Sequence, residues 1–237
     1  MGMVKSWFWR NVLWRFADER CKHDEYFRRS CRVVFIDKPA LGGKAIDRFQ
    51  IQSLSMAPAG ATVVVKMQRD EIVMQVTHPK LIKKGYTNEF YIRADPDSQE
   101  LYLYIELAMF ADGPKGLGAV GFFRCAQVGC ALGLARVDLL AAGGKSYKIA
   151  GEWNPGFNGY YSWARFGFNA PLHPLTAEAI AALPRLAGAK DLLEIIERDP
   201  HWWSLEGGGG EMTFDLRAGS RSWHTLPTYL SDNGYRQ

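Results

Sequence analysis

Between Thr62 and Met109 the apolar and polar positions alternate in short runs, the period of two that a half-buried strand imposes. Thr62–Gln68 and Glu71–Thr77 are β-branched runs joined by Arg69-Asp70, which predicts a tight hairpin. Asn88–Arg93 and Glu100–Met109 form a second pair around Ala94-Asp95-Pro96-Asp97-Ser98, a dense turn cluster. Arg32–Ile36 is a further short strand, and Lys38–Gly43 and Met56–Gly60 read as loops. The middle of the chain is therefore expected to be an antiparallel meander.

The period changes on either side. Residues 5–20 place Trp7, Phe8, Val12, Trp14 and Phe16 on one broad face, as in an amphipathic helix. Docking on the protein's own core and lying in a membrane interface both suit that face. Val120–Leu132 has helical apolar spacing, and Ala135–Ala141 is a strand ended by Gly143-Gly144. Asn158–Gly167 is an aromatic-rich helix with Gly167 as its C-terminal stop and Phe168 opening a strand. Beyond it come a helix over Thr176–Leu183 capped by Thr176, and an amphipathic helix over Ala187–Arg198 stopped by Asp199-Pro200. A flexible turn at Gly207–Gly210, a strand at Met212–Leu216 and a short final helix at Ser220–Leu230 complete the prediction.

Composition narrows the classes. The 237 residues, 47% hydrophobic, suffice for one sizeable core, and the net charge of +4 is too mild to imply nucleic acid. No run approaches the length of a membrane span, and no secretory leader pattern is seen, so a cytoplasmic protein is expected. The four cysteines make no Cys-x-x-Cys pair and the five histidines show no metal-ligand spacing, so no metal is expected. Gly2 and Ser6 fit an N-myristoylation pattern, and Met3 is an equally good start.

The chemistry gathers where Leu101–Phe110 runs into Ala111-Asp-Gly-Pro-Lys-Gly-Leu-Gly-Ala119 and then into a helix. A glycine turn between strand and helix leaves several backbone N–H groups unpaired at the helix start. Glycine lets a phosphate approach them, and the helix dipole favours its charge. Such a turn can equally be only a turn.

The order strand, glycine turn, helix, strand, then a helix ending in Gly167-Phe168 resembles the acyl-CoA-binding half of GNAT-type N-acetyltransferases. The resemblance covers Leu101–Phe168. It implies an α/β (α+β) fold with a mixed, mostly antiparallel central sheet flanked by helices. It also implies one domain over residues 1–237, with an N-terminal helical arm to about residue 30 and an extension from about residue 172. The implied activity is transfer of an acetyl or other acyl group from acyl-CoA to an unknown amine acceptor. Leu107 and Met109 would offer main-chain groups to the acyl arm, and Lys115, Gly116, Leu117, Gly118 and Ala119 would cradle the diphosphate. Glu106 would take the amine proton, and Tyr160 or Tyr161 would protonate the departing thiolate.

Two positions depart from the family's pattern. Gly113 stands where Gln or Arg is usual, and Trp163 stands where a tyrosine usually serves as the acid. Glu106 can equally face solvent, and Tyr160 and Tyr161 can equally be packing residues. The alternative to an enzyme is a non-catalytic GNAT-like module that binds CoA or a protein partner.

Overall fold

A computed structural model of the chain describes residues 21–41, 44–110, 112–144 and 157–236. The helix expected at residues 5–20 and the Gly2 pattern lie outside the described residues. The protein is mixed α/β with a mostly antiparallel sheet. It divides into two compact units, one ending at Arg136 and including the stretch from Leu230, the other running Val137–Tyr229.

The first unit opens with α1 (Glu25–Arg28), β1 (Arg32–Phe35) and a small hairpin of β2 (Ala40–Leu41) with β3 (Lys44–Ala45). Next come α2 (Arg48–Leu54) and the meander of β4 (Thr62–Gln68), β5 (Glu71–Thr77), β6 (Asn88–Ala94) and β7 (Leu101–Leu107). Helix α3 (Leu117–Ala131) follows. The expected hairpins form, with Gln68 opposite Glu71 and Ala94 opposite Leu101. Strand β1 pairs with β4 in parallel, Val33 opposite Val63. A parallel pair needs a crossover, and α2 supplies it. The segment Lys38–Gly43, expected to be a loop, contributes β2 among its described residues.

Helix α2 starts on a capping box. The Asp47 carboxylate accepts from the Gln50 amide at 2.8 Å, and the Gln50 side chain accepts from the Asp47 amide at 2.9 Å. Its buried Gln52 donates to the Arg29 carbonyl at 2.9 Å, and Ser55 Oγ donates to the Ile51 carbonyl at 2.7 Å. These polar groups are tolerated inside because backbone oxygens satisfy them. On one face of the sheet, Val63, Val65, Met74, Phe90, Ile92 and Leu103 are almost wholly buried. With Ile51, Leu54, Val120, Phe122 and Phe123 they form the core.

The second unit contains β8 (Arg136–Gly144), α4 (Gly159–Arg165), α5 (Pro174–Ala181), α6 (Leu192–Arg198), α7 (Pro200–Glu206) and β9 (Gly208–Asp215). Helix α8 (Arg221–Asp232) begins there and ends in the first unit. Strands β8 and β9 are neighbours. The glycine run is thus a strand start and not a flexible turn. A β-carbon on Gly209 would collide with the Ala141 carbonyl oxygen, and one on Gly144 would come within 2.5 Å of the Gly207 carbonyl. The two backbones approach too closely for side chains.

Several boundaries also move. Helix α5 is capped by His173, whose ring accepts from the Leu175 amide, with Pro174 as its first residue, so Thr176 is not its cap. Helix α6 starts only at Leu192, capped by Asp191, because Gly188 adopts a φ of 74° that breaks helical geometry. Asp199 ends α6 and also caps α7 by accepting from the Trp202 amide at 3.0 Å. Phe168 opens no strand; after Gly167 the chain makes only isolated bridges among the described residues, Asn169 with Thr213 and Pro171 with Asp191.

Candidate functional site

Strand β7 reaches the glycine turn through a bulge. Phe90 faces Ile105 and Glu89 faces Leu107, so Glu106 is an extra residue without a partner across β6. A bulge bends its strand and re-aims the side chain it carries, and the Glu106 side chain is exposed. Just beyond, the buried Asn88 side chain acts as a substitute strand. Its Oδ1 accepts from the Met109 amide at 2.9 Å and its Nδ2 donates to the Met109 carbonyl at 3.2 Å. The main-chain donor of Met109 is therefore committed to Asn88.

The turn then closes on α3. Gly116 is the helix cap with a φ of 94°, in the left-handed region that favours glycine. A β-carbon there would also lie 2.4 Å from two ring carbons of Tyr235, which is 5% exposed. The Tyr235 carbonyl accepts from the Lys22 amide at 2.7 Å, and its amide donates to the Leu230 carbonyl at 2.8 Å. The Leu117 amide donates to the Pro114 carbonyl at 3.1 Å. Among the described residues, the amides of Gly118 and Ala119 meet no acceptor, although Ala119 is buried. They are the second and third residues of the helix, where an N–H has no partner within the helix itself. Gly118 has ordinary room, with Phe110 3.7 Å from the position of a β-carbon. Lys115 is exposed at the tip of the turn.

On the sheet face opposite the core, the Arg93 guanidinium lies between the rings of Tyr91 and Tyr104, 4.6 Å from each centroid, and pairs with Glu71 at 3.0 Å. Glu89 accepts from Gln75 at 2.6 Å and from the Tyr91 hydroxyl at 3.1 Å. The Tyr91 phenol is held above its usual pKa. Desolvation is the main cause, followed by the hydrogen bond to Glu89 and the charges of Glu89 and Glu106, against the lowering effect of Arg93.

The candidate acids belong to the second unit. The Tyr160 hydroxyl donates to the Ser204 carbonyl at 2.6 Å, and Trp203 Nε1 donates back to the Tyr160 carbonyl at 3.1 Å. Tyr161 stacks on Arg165, whose guanidinium also lies 4.7 Å from the Tyr229 centroid. Trp163 packs edge-on against Phe166 and Phe168. The structure thus brings Glu106 and residues 115–119 into one unit, and Tyr160, Tyr161 and Trp163 into the other. Sequence reading missed Asn88 and Tyr235, each a single polar-tipped residue with no periodic signal of its own.

Among the described residues no group of three or more His, Cys, Asp or Glu side chains converges as a metal site, and no helix is long and apolar enough to cross a membrane. No protein-family model, no curated protein and no solved structure matches the chain.

Proposed function

We propose that the chain is a GNAT-like acyltransferase that moves an acyl group from acyl-CoA to an amine. The observation that carries this reading is the pair of unpaired amides, Gly118 and Ala119, at the start of a 15-residue helix directly after a bulged strand. Unpaired N–H groups and the positive end of the helix dipole suit a diphosphate. The bulge gives the strand the bent end on which the resemblance expects a base.

In the reaction so read, the amine nitrogen attacks the thioester carbonyl carbon, the C–S bond breaks, and CoA leaves as a thiolate. Glu106, exposed on the bulge, receives the amine proton directly or through one water. Most of the acceleration would come from holding the two reactants together. The Tyr160 hydroxyl already donates to Ser204, so the thiolate would take its proton from solvent unless that bond breaks.

Calorimetric titration with acetyl-CoA tests the reading. Gly118→Asp should weaken binding by at least about tenfold, because its carboxylate would compete for the open amides, while it suits a helix start and leaves stability intact. Absence of binding at millimolar acetyl-CoA would remove the proposal. A second reading, a binding module without turnover, is favoured by Trp163, whose indole cannot protonate a thiolate. Thiol release with a panel of amines, lost in Glu106→Gln, would exclude it.

A further inference from the structure

A cavity of about 610 Å³ opens in the first unit between α1 and the connection from β5 to β6. This falls within the range of roughly 300–1,000 Å³ typical of small-molecule sites. Its frame is held by His78. Nδ1 of that ring accepts from the Lys80 amide at 3.0 Å and the Leu81 amide at 2.9 Å. Nε2 of the same ring lies 3.1 Å from the Ala59 carbonyl. Ala59 is in turn tied to α1, its amide donating to the Tyr26 carbonyl at 2.5 Å. The walls are therefore built before any ligand arrives.

The lining has two characters. Tyr26, Leu81 and Ile82 provide ring and aliphatic surface, and both aliphatic residues are buried. Lys80 and Lys84, both exposed, also line it, two cationic residues against the single acidic residue Asp112. The two lysines outnumber the one carboxylate, so the lining charge is positive. Ring and aliphatic surface beside two lysines suits a flat molecule that ends in a strong anion.

We infer that this cavity binds a nucleoside phosphate, its ring system against Tyr26, Leu81 and Ile82 and its phosphate between Lys80 and Lys84. The inference goes beyond the acyltransferase reading and does not depend on it, because the cavity lining is distinct from the open amides of Gly118 and Ala119. Turnover can fail while this site binds, and the reverse also holds.

Titration of the full chain with AMP, followed by amide NMR and calorimetry, tests it. Shifts should concentrate at Lys80–Ile82 and around Tyr26, and Lys80→Glu with Lys84→Glu should weaken binding by at least about tenfold. Both lysines are exposed, so the double variant should keep its fold; Lys80→Gln with Lys84→Gln, which only neutralises them, should give a smaller loss. Adenosine and inorganic phosphate should each bind less well than AMP. No shifts at millimolar AMP, shifts that map elsewhere, unchanged affinity in the charge-reversed protein, or phosphate binding as tightly as AMP would each overturn the inference.

Discussion

The ring of Tyr235 occupies the space beside Gly116 where any other residue would carry its β-carbon. Gly116 was singled out in the sequence as a phosphate-binding glycine, and its packing against Tyr235 gives it a second reason to be glycine. Gly116→Ala should therefore destabilise the protein by about 1–3 kcal/mol through its positive φ alone, with a further steric cost. In a Tyr235→Ala background the steric part should disappear. Urea unfolding of the four proteins in a double-mutant cycle should give a coupling of roughly 0.5–3 kcal/mol; additive effects would mean that the two residues do not meet. For the same reason a loss of acetyl-CoA binding in a Gly116 variant would not identify a phosphate loop, and Gly118 is the cleaner position.

Asn88 should behave as part of the backbone. Replacing it with Leu leaves the Met109 amide and carbonyl without their partners, at a cost of about 1–3 kcal/mol. Hydrogen exchange at the Met109 amide should accelerate before any change in global unfolding. Unchanged exchange there would show that the end of β7 is held by something else.

Acid should loosen the turn between β6 and β7. Asp95 accepts from the Ser98 amide at 2.9 Å and the Asp97 amide at 3.0 Å, and pairs with Arg136 at 2.7 Å. The Ser98 hydrogen bond, then Arg136, holds its carboxyl at about 2. A carboxyl depressed on folding stabilises the native state above its unfolded value, near 4. That contribution is lost as pH falls through about 2. Asp95→Asn should flatten the pH dependence of stability between roughly pH 4 and 2, read from unfolding midpoints at each pH. An unaltered slope would show that another carboxyl governs that window.

The cysteines should separate by burial. Desolvation raises Cys125 strongly and pushes Cys130 up to about 12, so at pH 8 the Cys130 thiolate is on the order of one part in ten thousand. Cys31 is also raised by desolvation, but its own backbone hydrogen bond and the Arg48 charge counter this, and it is only half-buried. With a chromogenic disulfide reagent, Cys31 should react in the native protein, whereas Cys125 and Cys130 should react only on unfolding. Rapid native labelling of Cys125, identified by peptide mapping, would contradict the packing of α3.

The meander was legible because its signals are local and redundant. Alternation in Thr62–Gln68 and Glu71–Thr77 fixes which side chains face the core, and the turn residues set the register. Helix α2 was not legible, since Gln52, Ser53 and Ser55 are polar residues inside the core and break the apolar period. The Asp47–Gln50 capping box was the one signal that could have revealed it. The bulge at Glu106 has no letter of its own, because it results from pairing with a strand read separately. Asp199-Pro200 signals a stop, yet a proline in the first turn also starts a helix, and Asp199 serves both.

The glycines of β8 and β9 have a consequence for how this protein can vary. Along most strands a substitution is judged by the side chain it introduces. At Gly209 and Gly144 the interface is backbone against backbone, so even the smallest side chain is excluded whatever its polarity. In a random mutant library, tolerated changes should crowd into positions such as Gly118, where the nearest atom lies 3.7 Å from an added β-carbon, and thin out sharply at Gly209 and Gly144. A stretch that looks like loose filler in the sequence would then be among the least replaceable in the chain.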